Sequence, residues 1–233
     1  MKVINGDSLE ILKTMDSNSV EALITDPPYG LSKMSTSDIQ ECLTSWLTGD
    51  KYEHKQRGFM NKEWDSFVPS PELWKEVYRV MKHGAHGLVF AGSRTQDLMS
   101  ISLRLAGFEV RDTLMWVYGS GFPKSHNVSL GIQKIDSENT SWDGWGTALK
   151  PAYEPIILVR KPPNGSIAQN TLKYGCGGVN IDATRIETSD DLARVNNQDN
   201  GIFSVGNGRN KAQIRKDMGL PKLGRFPANV TVS

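Results

Sequence analysis

With 233 residues, 38% of them apolar and 23% charged, the chain can bury a full core, and its composition excludes global disorder. A formal net charge of +1 excludes a strong overall basic field, so any nucleic-acid contact must come from local clusters of Lys and Arg. Cys42 and Cys176 lack the paired spacing of a zinc site, and no apolar run reaches the roughly 18 residues of a membrane span, so we expect no metal, free thiols and a cytoplasmic protein.

In chain order, Lys2 to Ile4 predicts a short strand stopped by Asn5-Gly6-Asp7. Ser8 then caps an amphipathic helix through Leu9, Leu12 and Met15. Val20 to Thr25 predicts a second strand, ended by Asp26-Pro27-Pro28, because proline cannot continue a central ladder. From Ser32 to Val68 the pattern becomes a long polar connection, of a kind more often functional than structural. Ser70 before Pro71 starts a helix with Leu73, Trp74, Val77, Val80 and Met81 on one face and Gly84 beyond its end. A strand from His86 to Ala91 follows, then a helix through Leu98, Ile101 and Leu105 closed by Gly107. A strand across Phe108 to Tyr118 comes next, and a last apolar run from Pro155 to Val159. Strands alternating with helices predict parallel pairing in an open α/β sheet, with ligands gathering at the strand carboxyl ends. From Asn164 onward Gly, Asn and charge dominate, which predicts a loop-rich appendage.

The chemistry concentrates at Asp26-Pro27-Pro28-Tyr29-Gly30. The exocyclic amine of a nucleobase is a poor nucleophile because its lone pair is delocalised into the ring. Two acceptors, one for each N–H, favour the more tetrahedral nitrogen and aim its lone pair at an incoming methyl group. The Asp26 carboxylate and the Pro27 carbonyl can fill these roles. The prolines fix φ and remove competing donors, and Tyr29 offers a face on which an extruded base can stack. The plain alternative is a turn after a buried strand with Tyr29 as a rim aromatic.

With that motif in place, the chain resembles the DNA amino-methyltransferases of the permuted β type, in which the catalytic motif precedes the glycine motif for S-adenosyl-L-methionine. The phage and prophage branch is the nearest in pattern. Gly58 to Asp65 (GFMNKEWD), Trp116 to Ser125 (WVYGSGFPKS), Gly146 to Pro151 (GTALKP) and Gly224 to Val230 (GRFPANV) carry that likeness. The resemblance implies a Rossmann-like α/β methyltransferase fold, S-adenosyl-L-methionine as cofactor, double-stranded DNA as partner, and Asp26, Pro27, Pro28 and Tyr29 as catalytic residues. It also implies a core over 1–160, with a loop insertion at 32–68, and a target-recognition or DNA-contact region over 161–233.

By the same resemblance Asp7 matches an acidic position near the cofactor's adenine, although an acid at a helix start needs no ligand. Phe90 and Gly92 would line the same crevice or simply end a strand. The Asp-Pro-Phe-x-Gly-Ser-Gly segment that holds the cofactor's methionyl part in such enzymes has no match before Ser233. The sheet is therefore expected to be partial, completed by a C-terminal complement chain or a homo-oligomer.

Phosphate contacts call for basic residues among aromatics on loops near the catalytic end. Lys55 and Arg57 qualify, with Phe59 or Trp64 to fill the vacated base position; a solvated loop with Trp64 packed beneath it is the alternative. Lys124 qualifies beside Ser125, His126 and Asn127, whereas Trp142 and Trp145 are expected to pack. Arg209, Lys211, Arg215 and Lys216 belong to the basic run from Gly206 to Arg225, whose only acid is Asp217. Aspartate before Pro-Pro-Tyr favours adenine N6 by resemblance. Cytosine N4 is the enzyme alternative, and a silent DNA- or partner-binding fragment is the alternative of another class.

Overall fold

In a computed structural model the described residues are 3–58, 61–123, 125–138, 141–187 and 225–233. They form helices α1 (Ser8–Lys13), α2 (Thr36–Thr48), α3 (Pro71–Val80), α4 (Gln96–Leu105), α5 (Val128–Gln133) and α6 (Ile167–Tyr174). The strands are β1 (Val20–Thr25), β2 (Met81–Phe90), β3 (Glu109–Val117), β4 (Tyr153–Arg160) and β5 (Val230–Val232). By contact, Met1–Gly178 with Asn229–Ser233 makes one compact unit and Val179–Ala228 another.

In the first unit the five strands form one sheet in the order β1-β2-β4-β3-β5. This is the expected α/β class with a partial sheet, but the pairing corrects the expectation of parallel strands throughout. β1 runs parallel to β2 and β5 to β3, whereas β4 lies between β2 and β3 and antiparallel to both. The unbroken apolar run from Pro155 to Val159 reports burial and carries no information on strand direction. The arrangement places the carboxyl ends of β1, β2, β3 and β5 and the start of β4 along one rim.

The core lies between the sheet and α2, α3 and α4, around Trp74, Met81, Val89, Met99, Leu103 and Ile157. Helix α3 follows the expected pattern, with Pro71 in its first turn and Trp74, Val77 and Val80 buried. It passes directly into β2, which starts five residues earlier than expected; Gly84 takes φ +81 within it and marks an irregular register against β1. Gly107 closes the α4 turn at φ +104.

Four further expectations change. Val3 and Ile4 form no strand and are exposed, and among the described strands β1 has a hydrogen-bonded neighbour on one side alone. Asp7, not Ser8, caps α1. The stretch 32–68 is not unstructured: α2 starts from a Ser35–Asp38 capping box, buries Cys42 and Trp46, and ends at Gly49 in the left-handed region. Residues after 160 also include α6, capped reciprocally by Ser166 and Gln169, whose buried Asn170 donates to the carbonyls of His83 and Cys176.

Both cysteines are free. Burial pushes the Cys42 thiol up to about 12, and also raises that of Cys176, which is only half-buried and donates to the His83 carbonyl. We expect native-state alkylation to modify Cys176 first and Cys42 only after unfolding, as read by intact-mass spectrometry.

Candidate active site

The sequence Asp26-Pro27-Pro28-Tyr29-Gly30 leaves the carboxyl end of β1 where Thr25 stands beside Val89 of β2, so the turn opens onto the sheet's rim. Two prolines end the ladder and stiffen the exit. The remaining main chain is pinned from outside. One oxygen of the buried Asp65 carboxylate accepts from the Tyr29 N–H at 3.0 Å and the Gly30 N–H at 3.1 Å. The buried Thr95 hydroxyl donates to the Tyr29 carbonyl at 2.6 Å.

Gly30 takes φ +67, and a Cβ there would lie 2.8 Å from the Val68 amide nitrogen. Only glycine satisfies both the left-handed backbone and this close approach. We expect Gly30→Ala to cost about 2 kcal/mol or more, measured by urea unfolding, because main chain rather than a flexible side chain must move.

The turn thus fixes Asp26, which is exposed, and Pro27. Among the described residues no donor reaches the Pro27 carbonyl. The two acceptors that the chemistry needs are adjacent and rigidly held. Tyr29 is half-buried, and its hydroxyl donates to Glu154 Oε2 at 3.3 Å. Burial first, and then the neighbouring Asp26 and Glu154 carboxylates, hold the phenol well above its usual range, so it stays protonated. Its ring rests over Gly92, where a Cβ would meet Tyr29 Cβ at 3.4 Å and Thr95 Oγ1 at 3.0 Å.

Phe90 ends β2 on the same rim and meets Trp116 of β3 edge-on, with ring centroids 6.2 Å apart; Trp116 in turn meets Tyr118 at 6.0 Å. Phe90 and Gly92 therefore stand with Asp26 and Tyr29. Asp7 accepts from the Glu10 N–H at the start of α1, and that helix packs on α3. For a methyl donor carrying adenosine, Phe90 offers an apolar face that fits such a group, whereas the space beside Gly92 is taken up by Tyr29 and Thr95. Asp7 is brought to Phe90 and Gly92 by no contact among the described residues.

Of the basic residues expected to contact DNA, Lys55 and Arg57 are described. Arg57 is exposed and ion-paired with Glu63 at 3.0 Å, Lys55 is exposed, and Trp64 is 68% exposed rather than packed beneath the loop. Lys124, Arg209, Lys211, Arg215, Lys216 and Phe59 lie outside the described residues. Ser125 accepts through Oγ from the amides of Thr147 and Ala148, and Trp142 packs edge-on against Trp145 at 5.1 Å with both partly exposed. Among the described residues no cluster of three His, Cys, Asp or Glu could hold a metal ion, and no helix is long and apolar enough to cross a membrane.

Sequence reasoning missed Asp65, Thr95 and Glu154. Asp65 sits in plain view as the last residue of the segment from Gly58, whose two ends lie close together: the Gly58 N–H bonds to the Lys62 carbonyl, and a Cβ at Gly58 would run into the Asp65 carbonyl. Trp116–Ser125 and Gly146–Pro151 also meet, through the Asn127–Gly146 bridge and the Ser125 bonds. Asn229 of the last segment binds the edge of β3 through the Thr113 carbonyl.

Residues 20–216 match a family of DNA methylases, the N6/N4 amino-methyltransferases. Type II methyltransferase M.HindIII of Haemophilus influenzae is 30% identical over 198 residues, which cover 76% of this chain. The match spans 64% of that relative's length. Among solved structures, PvuII DNA methyltransferase, described as cytosine-N4-specific, is 16% identical with a TM-score of 0.39, covering 95% of this chain and 64% of its own. M1.HpyAVI in complex with SAM is 15% identical with a TM-score of 0.38, covering 70% of this chain and 55% of its own. Both scores are low, so the assignment rests on the sequence match, and that match covers most of the chain and contains the Asp26–Tyr29 turn. The chain belongs to the N6/N4 DNA methylase family of β-class amino-methyltransferases, enzymes whose methyl donor is S-adenosyl-L-methionine.

Proposed function

We propose that this chain methylates DNA at the N6 amine of an extruded adenine, using S-adenosyl-L-methionine. The observation that carries the reading is the acceptor pair at the end of β1, the exposed Asp26 carboxylate and the Pro27 carbonyl, fixed by Asp65 and Thr95. When bound, the cofactor supplies an electrophilic methyl group. Asp26 accepts one N–H of the target amine and Pro27 the other, which holds the nitrogen lone pair out of the base's π system. The methylated nitrogen carries a positive charge until one N–H proton leaves, and Asp26 is placed to stabilise that charge and take the proton. Tyr29 stacks on the base, and Phe90 borders the donor. Asp7 and Gly92 are kept as candidates, Asp7 for the donor's adenine side.

Mass spectrometry of nucleosides from DNA treated with the protein tests the reading. N6-methyladenine supports it, N4-methylcytosine moves the target to the alternative amine, and no methylated base leaves a silent DNA-binding fragment. We further propose that residues 1–160 serve as the catalytic core and 161–233 as the target-recognition region. Double-stranded DNA would then be held by Lys55, Arg57, Lys124, Arg209, Lys211, Arg215 and Lys216. Replacing both Lys55 and Arg57 with Ala should weaken binding to all sequences alike. It should also flatten the slope of log K against log salt by about 0.9 for each phosphate that is no longer neutralised, read by fluorescence anisotropy at several salt concentrations.

β1 forms one end of the sheet with Ile24 75% exposed. A further strand, from a complementing chain or a second copy, would cover that edge. Purification of this chain as a monomer that binds S-adenosyl-L-methionine at micromolar affinity would remove the need for one.

A further inference from the structure

The Tyr29 hydroxyl has one proton and two carboxylate neighbours, Asp26 on its own turn and Glu154 across the rim. The choice between them matters. A phenol that donates to Asp26 occupies the oxygen on which the target amine depends; a phenol that donates to Glu154 leaves that oxygen free. Glu154 reaches the phenol because β4 enters the sheet antiparallel, which puts its first residues at the rim where β2 and β3 end. In register it faces Trp116, which meets Phe90 edge-on, so the carboxylate sits among the aromatic residues that border the acceptor pair. Its charge also contributes, after burial, to holding the Tyr118 phenol above its ordinary range. The 3.3 Å bond is long, with room to shorten as a base closes over the ring.

We propose that Glu154 is a positioning residue for Tyr29: it accepts the phenol's hydrogen bond, fixes the plane of the ring for stacking, and leaves the Asp26 carboxylate free to receive the target amine. The proposal rests on the methyltransferase reading above. Two measurements separate the failure of one from the failure of the other.

The first needs no DNA. With carbon-13-labelled tyrosine, the ring resonance of Tyr29, identified by its loss in Tyr29→Phe, should move in Glu154→Ala and move less in Glu154→Gln, whose amide oxygen still accepts. An unmoved resonance overturns the proposal. The second is a double-mutant cycle on methylation. Glu154→Ala should lower kcat about tenfold in the presence of Tyr29 and have almost no effect in the Tyr29→Phe background, while Glu154→Gln should recover most of the activity. A cost that persists undiminished in Tyr29→Phe overturns the proposal, because Glu154 would then act independently of the phenol. If the ring resonance moves as expected while the unaltered protein methylates no DNA, the anchoring of Tyr29 stands and the functional reading falls. Glu154→Gln, close in shape, keeps both measurements informative if the alanine variant does not fold.

Discussion

Asp26→Ala is expected to lower methylation by on the order of 10²–10³-fold or more while leaving the fold intact. The size follows from the role: an acceptor placed where charge develops acts in the transition state far more than in the bound ground state, and loss of one such group in other enzymes has effects of this order. The fold should survive because Asp26 is exposed and the turn around it is held by other groups, Asp65 and Thr95. Asp26→Asn is the sharper probe. Its amide can offer the amine an oxygen, but without the charge that stabilises the methylated nitrogen and without a site for its proton, so it should retain little activity. The measurements are methyl incorporation into DNA and thermal unfolding. A variant with normal unfolding and normal methylation would show that the acceptor lies elsewhere.

The second large effect belongs to a residue that touches no substrate. Asp65→Ala should destabilise the protein by about 3 kcal/mol, since it removes two charge-assisted bonds and strands the Tyr29 and Gly30 amides, the latter buried. Denaturant unfolding reads that loss. Activity should fall further than stability alone explains, because the same bonds aim the Pro27 carbonyl and the Tyr29 ring, and small displacements of reacting groups are costly. Asp65→Asn keeps one acceptor oxygen and should be milder on both counts. If Asp65→Ala loses activity only in proportion to its unfolded fraction, the carboxylate is a structural tie alone.

The parts of the fold that are legible in advance are those written locally. Helix α3 announces itself by Ser70-Pro71 and by the spacing of Trp74, Val77 and Val80, and α4 by Leu98, Ile101 and Leu105 before Gly107. Helix α2 carries the same kind of signal, with Ser35 and Asp38 as its box, Ile39, Cys42 and Trp46 on one face, and Gly49 past the end. The polar residues between them, inside a long polar connection, obscure it. Strand direction is not legible at all. Whether β4 runs with or against β2 depends on where a chain of about thirty-five residues, from Tyr118 to Ala152, turns back, and no period in the apolar residues records that.

The site divides along the same line. Asp26 to Tyr29 is legible because its meaning lies in four consecutive residues at the end of a strand. Asp65, Thr95 and Glu154 lie 36, 66 and 125 residues from Tyr29. Each is an ordinary polar residue until the sheet closes and brings it to the rim, so no local pattern could single it out. Asp7 carries both meanings at once: one of its oxygens caps α1, as an acid at a helix start does, and that alone does not mark it as a ligand.

The excursion from Gly30 to Asp65 starts and finishes at a single carboxylate. Helix α2 lies between those two ends and buries Cys42 and Trp46 in the core, so the clasp ties the turn at the end of β1 to the packing of that helix. A substitution that loosens α2 would therefore be felt at the carboxylate that holds the Tyr29 and Gly30 amides, although it lies in neither partner of those bonds.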